Sequence, residues 1–205
     1  MKLLAFTDIH GDSGIISKLS QKVKKEKPDA LICAGDITNF GFGIKTILRK
    51  FDSLGIPVFI IPGNHETDEE ISLFSKGMRN IKSIHLKPFL FHSVYIIGCG
   101  GGGFTQQHAE FEMSEKKFAD SMKKVKMKDH KYRTILVTHQ PPFKTSLDPI
   151  YGEHAGSTSI RKFIQEHQPD FCITGHLHEN EGKTDKIGKT LIINPGPLGK
   201  IIEIN

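Results

Sequence analysis

The stretch KLLAFTDIH, residues 2–10, ends a short apolar run with an aspartate and a histidine. Four later stretches have the same form: ALICAGDI (30–37), VFIIPGNH (58–65), TILVTH (134–139) and FCITGHLH (171–178). Each places Asp, Asn or His where a buried strand would finish. In open α/β sheets, ligands bind in the crevice beyond the carboxyl ends of the strands. The five stretches therefore predict that these polar residues converge on one site.

Helical patterns separate the apolar runs in the first part of the chain. Strand-like residues 3–6, 30–34 and 58–61 alternate with helical segments at about 13–26, 43–54 and 68–79. This alternation is typical of an α/β fold with a largely parallel sheet. The third helix carries a capping box, Thr67-x-x-Glu70, which predicts where it begins.

The second half of the chain shows strands at closer spacing. Strand-like stretches lie near 82–86, 94–98, 134–137, 170–174, 190–193 and 201–204, and a helix is expected at about 157–167. The late, closely spaced strands predict a second sheet that contains antiparallel pairs. Because no repeat or linker interrupts the chain, residues 1–205 are predicted to form a single domain.

The strand ends together offer a set of candidate metal ligands. A lone GD or GNH usually marks a turn, but five such placements at five strand ends are hard to attribute to chance. The donors are imidazole, carboxylate and amide oxygen without thiolate, a set that suits manganese, iron or zinc better than calcium or magnesium. The set exceeds the needs of one four-coordinate site and predicts two ions; it comprises Asp8, His10, Asp36, Asn64, His139, His176 and His178, with His65 beside them.

Two divalent ions so close together need anionic groups between them. At roughly 4 Å they repel by on the order of 15–20 kcal/mol at an effective dielectric of 20. A bridging carboxylate and a bridging hydroxide would offset this repulsion and leave a net positive site that attracts a phosphate ester. The hydroxide is also a nucleophile near neutral pH, so the site is expected to hydrolyse phosphate esters by attack in line with the departing alcohol.

The order of these blocks resembles that of the calcineurin-like metallophosphoesterase superfamily. The matching blocks are DxH (Asp8, His10), GD (Asp36), GNH (Asn64, His65), a strand-end histidine (His139) and GHxH (His176, His178). The segments PPFKTSLD, GEHAGS, GHLHENEG and NPGP are similar to those of small bacterial and archaeal members. The resemblance implies a four-layer α/β/β/α sandwich of two mixed sheets.

The resemblance also implies a role for each residue. Asp8, His10 and His178 would bind the first ion, Asn64, His139 and His176 the second, and Asp36 would bridge the two. His65 would be the catalytic residue, acting on the leaving-group oxygen as a general acid or stabilising the transition state. Many relatives have a second acid three residues after GD, where this chain has Asn39. Asn39 can orient His65 by a hydrogen bond but supplies no charge.

Two further histidine questions stay open at this stage. A two-residue spacing on a strand would point His176 and His178 to one face and one ion, whereas Gly175 lets the chain turn and the resemblance assigns them to different ions. His154 precedes Gly156-Ser157, the predicted start of a helix. It is either a substrate-binding residue, since helix N-termini favour phosphate, or part of an ordinary cap.

The net charge of +5 is concentrated in one segment. Residues 115–133 hold eight Lys or Arg and three Asp or Glu, and Phe118, Met122 and Val125 recur at helical spacing. This predicts an amphipathic helix with a basic outer face. A solvated face is favoured over a nucleic-acid surface, so a nuclease remains the less favoured alternative.

The remaining expectations concern location and function class. The opening apolar run stops at Thr7-Asp8, too early for a secretory signal, and no run approaches about 18 apolar residues, so a cytoplasmic protein without membrane contact is predicted. Cys33, Cys99 and Cys172 are expected to be buried and reduced. We expect manganese, with iron, zinc, nickel or cobalt as alternatives, and a preference for diesters, since small uncapped members leave the site open. The rival class is a non-catalytic scaffold on this fold, such as the retromer subunit whose site lacks the catalytic histidine.

Overall fold

The computed structural model describes residues 1–103, 105–128 and 132–204. In chain order the strands are β1 (Lys2–Phe6), β2 (Ala30–Cys33), β3 (Val58–Ile60), β4 (Ile81–Ser83), β5 (Phe89–Phe91), β6 (Val94–Cys99), β7 (Arg133–Thr138), β8 (Pro149–Ile150), β9 (Glu153–His154), β10 (Phe171–Ile173), β11 (Thr184–Ile187), β12 (Thr190–Ile193) and β13 (Lys200–Glu203). The helices are α1 (Ser13–Glu26), α2 (Ile44–Asp52), α3 (Asp68–Phe74), α4 (Ala109–Lys128) and α5 (Thr158–His167), with a 3-10 turn at His178–Asn180.

The first sheet has the strand order β13-β1-β2-β3-β4. Strands β1 to β4 pair in parallel, as the alternation of strands and helices predicted. Strand β13 pairs antiparallel with β1 and so closes this sheet. The last strand of the chain therefore belongs to the first sheet and not to the second, because its pairing partner is the first strand.

The second sheet has the order β11-β12-β10-β7-β6-β5. Its centre is parallel, from β12 through β10 and β7 to β6. Both edges are antiparallel hairpin partners, β11 on β12 and β5 on β6. The predicted antiparallel pairs are thus present, although the short strands β5, β8, β9 and β11 were not expected from the sequence.

Alternating side chains of the strands build four layers. Leu4 and Phe6 of β1 face helices α1 to α3, while Leu3 and Ala5 of the same strand face the second sheet. On the second sheet, Ile97 points away from that inter-sheet core toward helices α4 and α5. Because strand side chains alternate between faces, each sheet is buried on both sides. The predicted α/β/β/α sandwich of two mixed sheets is confirmed.

The helix ends follow local signals. Thr67 accepts a hydrogen bond from the Glu70 N–H and Glu70 reaches back to the Thr67 N–H, so the predicted capping box is present. Helix α3 nevertheless ends at Phe74, before the predicted residue 79, and Gly77 follows with a φ of +86°. Glycine adopts that left-handed conformation without strain, which favours a turn there.

The basic helix predicted in segment 115–133 is α4. Phe118 and Met122 are buried against α5 and the second sheet, and Val125 packs beside them, so the predicted amphipathic pattern is confirmed. Lys116, Lys117 and other basic residues lie on the exposed face. Residues 129–131 of the predicted segment lie outside the described residues.

Two smaller expectations concern the cysteines and the membrane. Cys33, Cys99 and Cys172 are buried thiols in β2, β6 and β10, as predicted. Burial raises the pKa of the Cys99 thiol far above its usual range and that of the Cys172 thiol to about 12, which leaves both protonated and inert. Across the described part of the chain, every helix is too short or too polar to cross a bilayer.

Candidate metal centre

Five loops at strand ends bring the predicted ligands together. Asp8 follows β1, Asp36 follows β2 and Asn64 follows β3, while His139 and His176 follow β7 and β10 of the second sheet. These strands are parallel within each sheet, so their carboxyl ends lie at one edge. The loops are joined directly: the Asp8 N–H donates to the Gly35 carbonyl, and the Gly175 N–H donates to the His139 carbonyl. The convergence expected from the sequence is present.

The ligand loops leave the strands by unusual backbone angles. Asp8, His10, Asp36 and His176 have φ values of 55°, 44°, 53° and 70°, in the left-handed region. Such angles are strained for residues with a Cβ, although Asp and His tolerate them better than most. These angles turn the backbone sharply after each strand, so that side chains from both sheets point into the same space.

Three glycines let neighbouring loops of the site pack in direct contact. A Cβ on Gly63 would overlap the carboxylate of Asp36, and one on Gly175 would overlap Thr7 and Asp8. A Cβ on Gly35 would lie 2.6 Å from the Gly63 nitrogen. Because no side chain fits at these positions, the glycines of GD, GNH and GHxH are required by the close approach of neighbouring loops.

The first group of candidate ligands consists of Asp8, His10 and His178. The Nε2 atoms of His10 and His178 lie 3.1 Å apart, and His178 Nε2 lies 3.7 Å from Asp8 Oδ1. Two ligands bonded to one ion at about 2.1 Å are separated by roughly 3.0–3.4 Å in octahedral or tetrahedral geometry. The spacing of these two imidazoles therefore fits joint coordination of one ion.

The second group consists of Asn64, His139 and His176. Asn64 Oδ1 lies 3.0 Å from His139 Nε2 and 2.9 Å from His176 Nδ1. His176 and His178 thus belong to different groups, because the chain leaves β10 at Gly175 and His178 begins the 3-10 turn. The His178 ring contacts His10 and Asp8, whereas the His176 ring contacts Asn64; their assignment to different ions stays a prediction from the resemblance.

Asp36 lies between the two groups. Its Oδ2 atom is 3.3 Å from His139 Nε2 and 3.9 Å from His10 Nε2, so it reaches one imidazole of each group. Burial opposes its ionisation, but the hydrogen bond and positive charge of His139 outweigh burial and hold the pKa of Asp36 at about 2. Asp36 is therefore an anion in contact with both groups.

The histidines of the two groups differ in their electrostatic surroundings. Burial lowers the pKa of His139, but its hydrogen bond to Asp36 and the nearby carboxylates dominate and raise it to about 9. Burial and the charge of His139 lower the pKa of His176 to about 4. Asp8, by hydrogen bonding to His178, raises the pKa of that imidazole. The centre thus favours positive charge next to Asp36 and Asp8.

These residues fit divalent cations. The Nδ1–H groups of His10 and His139 donate to the carbonyls of Thr38 and Ala34, at 3.2 and 2.8 Å, so Nε2 is the atom of each ring that could bind an ion. Histidine ligands in metal sites are commonly held in this way. Carboxylate, amide and imidazole donors converge on Asp36, and the Asp/His clusters can hold two ions.

His65 approaches Asp36 from a different direction. Its Nε2 lies 3.9 Å from Asp36 Oδ2, and its backbone N–H donates to Asp36 Oδ1 at 3.0 Å. The Nδ1 atom accepts the N–H of Phe40 at 3.4 Å, and the His10 ring packs edge-on against it at 4.7 Å. Since Nδ1 is an acceptor here, the neutral ring carries its proton on Nε2.

Asn39 and His154, the two candidate substrate-binding residues, lie outside the two groups of candidate ligands. His65 Nδ1 is contacted by the backbone of Phe40, the residue after Asn39, and within the described ranges no side-chain hydrogen bond joins Asn39 to His65. His154 binds Asp148 through Nδ1 at 2.7 Å. The N–H groups of Ser157 and Thr158, at the start of α5, donate to Pro141 and Gln106 carbonyls, so the chain itself occupies donors expected to meet phosphate.

Glu66 is a structural residue that the sequence patterns missed. Its buried carboxylate accepts from the N–H groups of Ile37, Thr38 and Gly63, at 3.1–3.2 Å, and from the Thr38 hydroxyl at 2.8 Å. Burial, together with the charge of Asp36, raises the pKa of Glu66. The carboxylate ties the Asp36 loop to the Asn64 loop. Its position directly after GNH was the available signal.

A cleft of about 670 Å³ lies beside Asn64. Its walls include His85, Glu110 and Lys117, together with Gly101 of the glycine-rich loop at residues 98–103. That loop packs on the chain itself: a Cβ on Gly100 would overlap the Pro62 carbonyl. The lack of a side chain at Gly100 therefore permits a contact between two backbone segments, and the contact shapes one wall of the cleft.

Comparisons with known proteins give a consistent result. The family model described as calcineurin-like phosphoesterase matches residues 1–180. An uncharacterized protein of Methanocaldococcus jannaschii is 34% identical over 206 residues, covering 96% of this chain and 88% of that protein. A probable cyclic nucleotide phosphodiesterase of a Pseudoalteromonas species is 26% identical over 77% of this chain and 59% of its own length.

The fold is shared with solved structures at lower identity. A Thermus thermophilus protein superimposes with a TM-score of 0.75 at 16% identity, covering 96% of this chain and 89% of that one. At this identity the likeness concerns the fold alone.

Proposed function

We propose that this chain, which belongs to the calcineurin-like phosphoesterase family, is a two-metal phosphodiesterase. One observation carries the proposal: the ligand atoms of two separate groups converge on the carboxylate of Asp36. A single anion between two sets of imidazole, amide and carboxylate donors is what a pair of divalent cations requires.

The proposed ligands follow the two groups. Asp8, His10 and His178 hold one ion, and Asn64, His139 and His176 hold the other, with Asp36 shared. Manganese is the proposed ion, since imidazole and carboxylate without thiolate suit it, and iron, zinc, nickel or cobalt are alternatives. When bound, the ions supply positive charge for the phosphate and lower the pKa of water that attacks phosphorus.

His65 is the proposed catalytic residue. Its Nδ1 accepts the Phe40 N–H, so the ring presents an Nε2–H group on the side of Asp36 and the ligand cluster. That proton can be donated to the oxygen of the departing alcohol, which avoids a free alkoxide. The edge-on contact with His10 keeps the ring from rotating away.

Further assignments complete the proposal. A preference for diesters is favoured by the relative named as a probable cyclic nucleotide phosphodiesterase. A non-catalytic scaffold is the alternative, and the placement of His65 beside Asp36 favours the enzyme. Asn39 and His154 are kept as candidate substrate-binding residues. The single-domain assignment for residues 1–205 also remains part of the proposal.

Hydrolysis assays on metal-free protein test the proposal. We would supplement the protein separately with Mn²⁺, Zn²⁺, Ni²⁺ and Mg²⁺ and measure turnover of bis(p-nitrophenyl) phosphate and p-nitrophenyl phosphate. The expected result is metal-dependent turnover, highest with Mn²⁺ and with a larger kcat/KM for the diester. Absence of turnover with every ion and both esters would contradict an enzyme, and a larger kcat/KM for the monoester would contradict the diester preference alone.

A further inference from the structure

The segment after Asp36 exposes two phenylalanines at the edge of the candidate metal centre. Phe40 is 80% exposed and Phe42 is 87% exposed. Phe40 also has a φ of +50°, a left-handed conformation that is strained for a bulky side chain. An exposed aromatic ring in a strained backbone is unfavourable for folding on both counts, and such strain tends to occur at functional sites.

Hydrogen bonds from the metal-centre loops hold Phe40 in this position. Its N–H donates to His65 Nδ1, and the next N–H, of Gly41, donates to the Thr38 hydroxyl at 2.9 Å. Thr38 in turn donates to the buried carboxylate of Glu66. The backbone around Phe40 is therefore fixed by the same contacts that join the Asp36 and Asn64 loops.

The ring of Phe40 continues a row of rings that begins at the metal centre. His10 packs against His65 with centroids 4.7 Å apart, and Phe40 packs on His65 with centroids 4.2 Å apart and planes tilted by 37°. Most of the Phe40 ring remains open to solvent. A planar group placed there would lie next to the histidine that faces the leaving group.

We propose that Phe40 is a stacking platform for a planar aromatic ring carried by the leaving alcohol of the phosphate ester. The inference rests on the proposed function, in which His65 protonates that alcohol. Aromatic rings prefer offset-stacked or edge-on contacts at 4.5–7 Å, and the open face of Phe40 offers such a contact. The substrate class is therefore an ester with an aryl or nucleobase group near its leaving oxygen, and Phe40 is a specificity-determining residue.

Phe42 provides a matched comparison. It lies two residues away in the same loop and is at least as exposed, yet no ring contact between Phe42 and His65 is present in the described ranges. The proposal therefore assigns stacking to Phe40 and not to Phe42. A general apolar surface for a protein partner would instead make both rings contribute.

Direct binding to Mn²⁺-loaded protein tests the proposal without requiring turnover. Dissociation constants are measured by calorimetry for two ligand pairs: phenylphosphonate against methylphosphonate, and adenosine 5′-monophosphate against ribose 5-phosphate. Stacking should lower the dissociation constant of the aromatic member of each pair by about fivefold relative to its non-aromatic partner. The pair with the larger ratio of dissociation constants shows whether an aryl or a nucleobase group is preferred. Phe40→Gly should reduce both ratios to near one, because glycine keeps the N–H and tolerates the positive φ while the ring is lost.

The controls separate stacking from a structural role. Phe42→Gly should keep the wild-type ratios, and Phe40→Tyr should keep them because it retains the ring. The proposal is overturned if Phe40→Gly retains the preference, if it weakens methylphosphonate binding equally, or if it changes the sedimentation coefficient, which would indicate a protein contact. Failure of the wild-type protein to hydrolyse any ester would contradict the proposed function, whereas the binding ratios would still decide the role of Phe40.

Discussion

His139 and His65 both direct Nε2 toward Asp36 Oδ2, at 3.3 and 3.9 Å, but the other nitrogen of each ring makes a different backbone contact. His139 is fully buried, and its Nδ1–H donates to the Ala34 carbonyl, so its Nε2 is available to an ion once the proton on that atom is lost. His65 is partly exposed, and its Nδ1 accepts a backbone N–H, so its Nε2 keeps a proton in the neutral ring. The backbone contact at Nδ1 therefore favours His139 as a metal ligand and His65 as a proton donor.

Alanine substitutions at these two positions should separate the roles. His65→Ala is expected to keep two ions per chain and to lose about 10²–10⁴-fold in kcat, the range for loss of a general acid. His139→Ala is expected to retain about one ion per chain, because the second group loses a ligand. Metal content by mass spectrometry and kcat on the aryl diester would be measured together.

His92→Ala serves as the control, since His92 is an exposed histidine outside both groups. It should match the wild type in metal content and kcat. Equal metal loss in His65→Ala and His139→Ala would contradict the assigned roles.

At the scale of elements, the loops after β2 and β3 behave as one unit. The buried carboxylate of Glu66 accepts four hydrogen bonds from these loops, and Gly63 leaves room for Asp36. Asp36 and Asn64 therefore keep their relative positions before any ion binds. Such preorganisation reduces the cost of assembling a metal site, because the ligand loops need little further ordering.

Glu66→Gln should loosen this unit. The amide has one acceptor oxygen and directs an NH₂ group at backbone donors, so we expect a loss of about 2 kcal/mol in the free energy of unfolding. Metal affinity should fall as well, because Asp36 and Asn64 are no longer held together. Urea unfolding and metal titration would measure the two effects.

Glu69→Gln is the matched control for Glu66→Gln, since Glu69 is an exposed glutamate in α3. Glu69→Gln should change neither the free energy of unfolding nor the metal affinity appreciably. A Glu66→Gln variant as stable as the Glu69→Gln variant would show that the two loops do not depend on this carboxylate.

For the whole molecule, the proposed ligands come from loops of both sheets. Asp8, Asp36 and Asn64 follow strands of the first sheet, whereas His139 and His176 follow strands of the second. The sheets already share an apolar core between their inner faces, and β13 returns to pair with β1. Each group contains residues from both sheets, so an ion bound by either group would link the two sheets at one edge and should stabilise the fold as a unit.

Metal binding should accordingly raise the unfolding temperature in a single transition. At an ion concentration one hundred times the dissociation constant, stabilisation is about 2.7 kcal/mol, which corresponds to roughly 5–11 °C for a chain of this size. Calorimetry with and without Mn²⁺ would measure the shift. Asp36→Asn should show a much smaller rise, because the shared anion is lost.

Two separate transitions would contradict the single-domain assignment. A shift in Asp36→Asn equal to that of the wild type would contradict a shared carboxylate. The cytoplasmic location and the native metal stay predictions from the sequence.

The sequence by itself determined most of the longer elements, the two-sheet class and the identity of the converging residues. Alternation of apolar runs with helical patterns is a local property, and so is the appearance of Asp8, Asp36, Asn64, His139 and His176 directly after buried strands. The capping box at Thr67 was likewise predicted from the sequence, because its two partners are three residues apart. These features follow from periodicity and short spacing, which folding does not alter.

Only the tertiary structure decided how distant segments meet. The pairing of β13 with β1, the division of His176 and His178 between two groups, and the four hydrogen bonds of Glu66 each join segments that no local pattern connects. The same holds for Phe40, whose backbone took the place on His65 expected for Asn39. The physical reason is that these contacts depend on the approach of whole loops, set by packing of two sheets and by glycines with no side chain to keep the backbones apart.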